Sequence, residues 1–229
     1  MLLALDTATR QAGLALYDGE AVRAEVTWIS GVHHTEWVAP AIEEALKRIR
    51  ATAADLTAVA VTIGPGSFTG LRVALSLAKG IVAARELPLL GIPTLDVTAY
   101  PHLEGGRAVC AVLQAGRGRL AYAFYGPEAT RAAFEGTVPA IADVWGVIAA
   151  VNARTEPEPS LVVGELTPAE QRYLVKNAGE RSHIAPPALA VRRPGALAEL
   201  AWRRFQAGDV DDPQALEPLY LHLPSSGQR

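Results

Sequence analysis

The spacing of hydrophobic positions changes character several times along the chain. Residues 2–5 are an apolar run closed by Asp6, and 13–17 are a second run followed by Asp18-Gly19, a strong hairpin signal. Val22, Ala24, Val26 and Trp28 then alternate with Arg23, Glu25 and Thr27, the period-two signature of a half-buried strand. Together these predict a three-stranded antiparallel meander. Over 36–50 the period becomes helical: Trp37, Val38, Ala41, Ile42, Ala45, Leu46 and Ile49 share a stripe, and Glu43→Lys47 and Glu44→Arg48 are i,i+4 pairs opposite it. Thr35 is a candidate N-cap, and Pro40 sits early enough for the helix to start or kink there. A β-branched strand over 57–63, a glycine loop, a helix over 70–85 and a buried strand over 89–92 complete the first half.

The second half repeats this order. Strands are expected over 109–113 and 120–125 around a Gly116-Arg117-Gly118 turn, with a third over 132–138. A helix over 141–151, a strand over 161–163 and a helix from Thr167-Pro168 to about 176 follow. The last helix spans 194–206 and is stopped by Gly208; the residues after Pro224 read as a disordered tail. The Pro-rich stretches 152–160 and 185–194 read as surface loops. Two successive β-β-β-α-β-α units imply two similar lobes, an N-terminal one over 1–104 and a C-terminal one over 105–223, although no sequence identity between them is visible.

Composition narrows the class. With 229 residues, half of them hydrophobic, the chain has ample core. No apolar run reaches the roughly 20 residues of a membrane span, and Met1-Leu2-Leu3-Ala4-Leu5 reads as a buried strand rather than a signal peptide. A single cysteine, Cys110, excludes an internal disulfide and a multi-cysteine zinc site, which suits a cytosolic protein. The net charge is −3 and the basic residues fall in scattered pairs such as Arg117/Arg119, Arg192/Arg193 and Arg203/Arg204. A main nucleic-acid binder carries a basic stripe. If RNA is involved, something else grips most of it.

The motif that stands out is Gly64-Pro65-Gly66-Ser67-Phe68-Thr69-Gly70-Leu71-Arg72. A strand–glycine loop–helix junction places unpaired backbone N–H groups at a helix N-terminus, suiting an anion or a tightly docked partner segment. It lacks the residues of an active site. A serine nucleophile elbow needs glycines two positions either side of Ser67, where Pro65 and Thr69 stand. A phosphate-binding loop needs lysine after its last glycine, where Leu71-Arg72 follows. Adjacent His33 and His34 cannot share a helix face as metal ligands, and His102, His183 and His222 are isolated. Helix 70–85 is apolar nearly all round: Leu71, Ala74, Leu75, Ala78, Ile81 and Val82 line one side, Val73, Leu77 and Ala84 another. Such a helix buries both sides, either within the chain or against a partner, and Gly80 permits close helix approach.

Leu3-Ala4-Leu5-Asp6-Thr7-Ala8-Thr9, the glycine motif and the terminal Glu217-Pro218-Leu219-Tyr220-Leu221 together resemble the TsaB (YeaZ) family. Residues 35–46 and Leu87-Pro88…Gly91-Ile92 followed by Thr94-Leu95 agree, so the resemblance covers residues 2 to about 222. It implies an actin-like (sugar kinase/Hsp70/actin, RNase H-like) two-lobed α/β fold. It also implies a non-catalytic dimerisation subunit in bacterial tRNA modification. The partner is a TsaD-like enzyme that transfers a threonylcarbamoyl group to the adenosine 3′ of the anticodon, with a TsaE-like ATPase completing the complex. On this resemblance the chain carries no tightly bound cofactor, ATP or ADP at the subunit boundary stays open, tRNA is met through the complex, and the chain alone forms a homodimer. The expected contact residues are Trp37, Ile42, Leu46, Ser67, Phe68, Thr69, Arg72, Leu75, Ala78, Lys79 and Val82. Asp6 sits where actin-like ATPases keep a carboxylate near metal and phosphate; it either lines a residual nucleotide cleft or accepts N–H bonds in the Thr7–Thr9 turn. The Gln114-Ala115-Gly116-Arg117-Gly118-Arg119 turn departs from the family's acidic and Asp-Ala-Arg-like pattern. Two other classes remain in play: an ATPase or small-molecule kinase using Asp6, and a glycoprotease-like peptidase.

Overall fold

The computed structural model describes residues 1–29, 34–129 and 138–221 and divides into two compact units. The first holds Met1–Val97 with Arg192–Leu219, the second Thr98–Val191 with the chain end from Tyr220.

In the first unit, β1 (Leu2–Asp6), β2 (Gln11–Tyr17) and β3 (Val22–Ile29) form the expected meander. After α1 (His34–Arg48) come β4 (Ala58–Gly64), α2 (Phe68–Arg85), β5 (Leu89–Pro93) and the short α3 (Thr94–Ala99). The sheet order is β3-β2-β1-β4-β5, with β1, β4 and β5 parallel. A central strand of such a sheet is covered on both faces, which is why β1 is buried throughout. Alternate side chains divide between the two sides. Leu3, Leu5, Leu14, Leu16, Val59 and Val61 pack with Val38, Ile42, Ala45 and Leu46 of α1 and Ala74, Leu75, Ala78 and Val82 of α2. The opposite side carries a helix from the far end of the chain, α6 (Pro194–Gln206), which crosses β1, β2, β4 and β5. Gly13 of β2 lets it approach, since a Cβ there would stand 2.7 Å from Pro194.

The second unit repeats the order with β6 (Val109–Gln114), β7 (Leu120–Tyr125), β8 (Ala140–Ala142), α4 (Val144–Asn152), β9 (Ser160–Gly164), α5 (Pro168–Ala178) and β10 (Ser182–Ile184). Its sheet order, β10-β9-β6-β7-β8, is that of the first sheet, so the duplicated, actin-like α/β fold is present. Cys110, Val112, Leu120 and Val162 pack with Val147, Ile148 and Val151 of α4 and Leu174 and Ala178 of α5.

One expectation changes, and others fall on residues outside those described. The C-terminal lobe does not run continuously over 105–223, because α6 buries Ala196, Leu197, Ala198 and Ala201 and packs on the first sheet, returning Arg192–Leu219 to the first unit. The third strand expected over 132–138 falls mostly on residues outside those described; the strand that pairs with β7 is Ala140–Ala142. The proposed cap Thr35, the adjacent His33 and the tail after Pro224 also lie outside the described side chains.

Candidate partner-docking face

The glycine motif turns β4 into α2 against the β1–β2 turn. Ser67 caps α2, its Oγ accepting from Gly70 N at 3.3 Å, while Ser67 N donates to Ala8 O at 2.6 Å. A Cβ on Gly66 would stand 2.3 Å from Ala8 O, and one on Gly70 2.0 Å from Thr7 O. The Thr7 hydroxyl donates to Gly70 O at 2.6 Å. These glycines therefore serve close backbone approach within the chain, a use different from the anion or partner segment that the motif suggested.

That junction fixes where α2 points its side chains. Leu71, Ala74, Leu75, Ala78 and Val82 turn inward and are buried. Phe68, Thr69, Arg72, Ser76 and Gly80 are exposed, and Val73, Leu77 and Lys79 are half-buried. Phe68 is 54% exposed although aromatic, and the Arg72 guanidinium lies 3.7 Å from its ring centroid, a cation–π contact. Trp37 on α1 is 45% exposed. Between the helices, Val38, Ala39, Phe68, Thr69, Arg72, Val73, Ser76 and Leu77 line a concavity of about 520 Å³. A Cβ on Gly80 would meet nothing within 4 Å among the described residues, so its outer side is open there.

The expected contact set is thus split. Trp37, Ser67, Phe68, Thr69, Arg72 and Lys79 lie at the surface or partly so. Ile42, Leu46, Leu75, Ala78 and Val82 belong to the core, because the same stripe that read as a partner surface packs against β1, β2 and β4. Val73, Ser76 and Leu77 were absent from the expected set. Their signal was the second apolar side of α2, which the sequence contained but could not orient.

Asp6 does not line a cleft open to nucleotide. Its Oδ1 accepts from Ala8 N at 3.0 Å and from the Thr62 hydroxyl at 2.9 Å. Its Oδ2 is paired with Arg192 Nε at 2.5 Å, and both side chains are at most 2% exposed. Arg192 is fixed further by the Thr9 hydroxyl at 3.0 Å and by Gln11, whose side-chain amide and backbone both bond it. A carboxylate in a metal–phosphate site must face solvent or ligand; this one faces an arginine. The residues present do not fit a magnesium-nucleotide group at Asp6. Among the described residues no cluster of three or more His, Cys, Asp or Glu could hold a metal ion. Cys110 is fully buried, and that burial pushes its thiol up to about 12, far from a nucleophile.

What these features define is a duplicated actin-like α/β protein whose Asp6 carboxylate is sealed by Arg192 and whose α1–α2 pair presents exposed Trp37 and Phe68. A family model described as "TsaD: tRNA N6-adenosine threonylcarbamoyltransferase" matches residues 28–224. The tRNA threonylcarbamoyladenosine biosynthesis protein TsaB of Escherichia coli (strain K12) is 32% identical over 126 residues, so the match spans about half the length of each chain, 54%. TsaB of Bacillus subtilis (strain 168) is 27% identical over 228 residues, 97% of this chain and 94% of that one. In structure, YeaZ from Pseudomonas aeruginosa superposes with a TM-score of 0.75 at 21% identity, covering 96% of this chain and 99% of that one, which is a likeness of fold. The chain belongs to this threonylcarbamoyltransferase family and, within it, to the TsaB (YeaZ) group.

Proposed function

We propose that the chain is the non-catalytic docking subunit of bacterial tRNA threonylcarbamoyladenosine biosynthesis, acting in the cytoplasm on a TsaD-type catalytic partner. The observation that carries this reading is the exposed Phe68–Arg72 pair lining, with Val38 and Ala39, the concavity between two helices whose opposite faces form the core. Large aromatic side chains and arginine are the residues that anchor protein interfaces when they enter a partner's pocket. The small exposed residues Ser76 and Gly80 leave room for a partner helix to approach.

The sealed Asp6 supports an accessory rather than a catalytic role, and any ATP or ADP of the assembly is then held by the partner's residues. The mechanism is conformational. Docking stabilises the partner's competent state by contacts made in that state alone, and the coupling free energy equals that difference. A TsaE-like ATPase joins the assembly, and in the partner's absence a second copy of the chain covers the same face.

The experiment is assembly with a TsaD-type protein read by sedimentation, alongside threonylcarbamoyl transfer to tRNA. Phe68→Asp is expected to abolish assembly and transfer while costing the isolated chain less than about 1 kcal/mol. Assembly unchanged by Phe68→Asp, or robust transfer by this chain without a partner, contradicts the reading.

A further inference from the structure

Arg192 opens the segment that returns to the first unit, and its side chain serves the turn between β1 and β2. Its backbone is anchored independently of that side chain: Arg192 N donates to Gln11 Oε1 at 3.2 Å, and the Gln11 amide donates to Arg192 O at 2.6 Å. From this anchor the guanidinium reaches three oxygens of one short stretch. Its Nε donates to Asp6 Oδ2 at 2.5 Å, and its Nη2 to Thr9 Oγ1 at 3.0 Å and to Gln11 O at 3.2 Å. Residues 6–11 are thus gripped at the start, the middle and the end by one buried cation. A planar fork of fixed geometry suits that task, whereas an ammonium acts as a point charge.

The same turn holds the start of α2. Asp6 Oδ1 accepts from Ala8 N at 3.0 Å, and Ala8 O accepts from Ser67 N at 2.6 Å. The Thr7 hydroxyl donates to Gly70 O at 2.6 Å. Ser67 is the cap of α2 and Phe68 its first residue. Buried side chains from Leu71 onward hold the body of the helix, while the contacts with Thr7 and Ala8 hold its first turn. Hydrogen bonds therefore run without a break from Arg192 to Asp6, from Asp6 to Ala8, and from Ala8 to the residue before Phe68.

We infer that Arg192 is a positioning residue for the docking face: by fixing Asp6 and Thr9 it holds the β1–β2 turn in the form that seats the first turn of α2 and presents Phe68. A binding surface is precise only when the residues behind it are themselves locked by hydrogen bonds. Without the guanidinium the Asp6 carboxylate is left buried and lacks its counter-charge. It then takes a proton or draws in water, and either event alters what it offers Ala8 N. The inference rests on the docking reading above for the consequence of displacing Phe68.

The test compares Arg192→Ala with Leu16→Ala, a cavity variant of the same core at the far end of β2 from the turn. Hydrogen exchange at the Ser67 amide and the dissociation constant with a TsaD-type protein are measured on both full chains. Arg192→Ala is expected to speed Ser67 exchange about ten-fold beyond Leu16→Ala and to weaken assembly about ten-fold, a span ordinary for coupling between sites. Guanidinium ion, well below denaturing concentration, should restore Ser67 protection in Arg192→Ala, because Gln11 still anchors the backbone beside the vacated oxygens. Arg192→Lys keeps the charge without the fork and should fall between the parent and Arg192→Ala. Equal Ser67 exchange in Arg192→Ala and Leu16→Ala overturns the inference, and so does guanidinium protecting both variants alike. If Arg192→Ala does not fold, Arg192→Lys takes its place, and Ser67 exchange unchanged from the parent overturns the inference there. Ser67 exchange needs no partner, whereas the docking reading is tested by Phe68→Asp in assembly, so the two fail distinguishably.

Discussion

Asp6 illustrates what a residue's own neighbourhood can and cannot reveal. Its place at the end of β1 was legible, and so was the turn it serves, where it accepts from Ala8 N. Its other partner, Arg192, is 186 residues away and arrives only because α6 folds back, so nothing local announced the ion pair. A charge buried without its partner is costly, typically about 3–5 kcal/mol. Arg192→Met is therefore expected to lower unfolding stability by about that amount. Asp6→Asn in the same chain should recover part of it, since an amide oxygen still accepts from Ala8 and Thr62 and no charge is left stranded. Urea midpoints of the single and double variants decide this; no recovery means that the arginine acts through packing alone. Cys110 gives a pH dependence of definite sign. Burial raises its thiol from 9.0 to about 12, so above pH 9 the unfolded chain releases a proton that the folded chain keeps. Stability then falls as pH rises through that window, by about 1.4 kcal/mol per unit. Cys110→Ala loses packing at every pH but should lack this slope, and parallel slopes for the two proteins between pH 9 and 11 would contradict it.

At the scale of elements, periodicity located most helices and strands because their apolar faces repeat. It placed α6 at 194–206, which the structure matches with Pro194–Gln206. The i,i+4 pair Glu44–Arg48 on α1 is formed, with Arg48 Nε 3.0 Å from Glu44 Oε1. Short elements escaped. α3 and β10 have too few residues to establish a period, and Ser182–Ile184 becomes a strand only by pairing in parallel with β9. The orientation of α2 also escaped, for a different reason: a helix apolar on two sides carries no information about which side the sheet takes. Its glycines supplied the answer in three dimensions, since Gly70 seats the first turn on Thr7 and thereby turns Leu71, Ala74 and Ala78 inward. The face assignment makes a sharp contrast between two substitutions on one helix. Ala78→Asp places a carboxylate in the core without a partner and is expected to unfold the chain, whereas Phe68→Asp leaves the helical circular dichroism intact. A folded Ala78→Asp protein that merely loses assembly would restore the face first expected from the sequence.

For the molecule as a whole, the duplicated order of strands and helices was legible, but the exchange of chain between the units was not. The repeat suggests that each unit is built from one continuous stretch, and a sheet with helices on one side would then leave Leu2, Ala4 and Asp6 uncovered on the other. The segment Arg192–Leu219 covers that side, adding α6 and an extension in which Asp211 N donates to Leu89 O at 2.9 Å and Asp211 Oδ2 accepts from Gly91 N at 2.7 Å. Arg204 bonds Asp209, Asp211 and Gly91 O, tying the extension to the exposed edge of β5. Leu219 N donates to Ile63 O at 2.6 Å, which holds the Glu217-Pro218-Leu219 motif at the C-terminal end of β4. Two truncations separate these contributions. A chain ending at Val191 lacks both Arg192 and α6 and is expected to yield no cooperative unfolding of the first unit. A chain ending at Gly208 keeps them, so it should fold, but with β5 left as an open edge it should associate beyond the dimer expected of the intact chain, because unpaired strand edges recruit other chains. Sedimentation and thermal unfolding of the two chains test this. Cooperative unfolding of the first unit in the shorter chain would show that the first sheet stands without its returning helix.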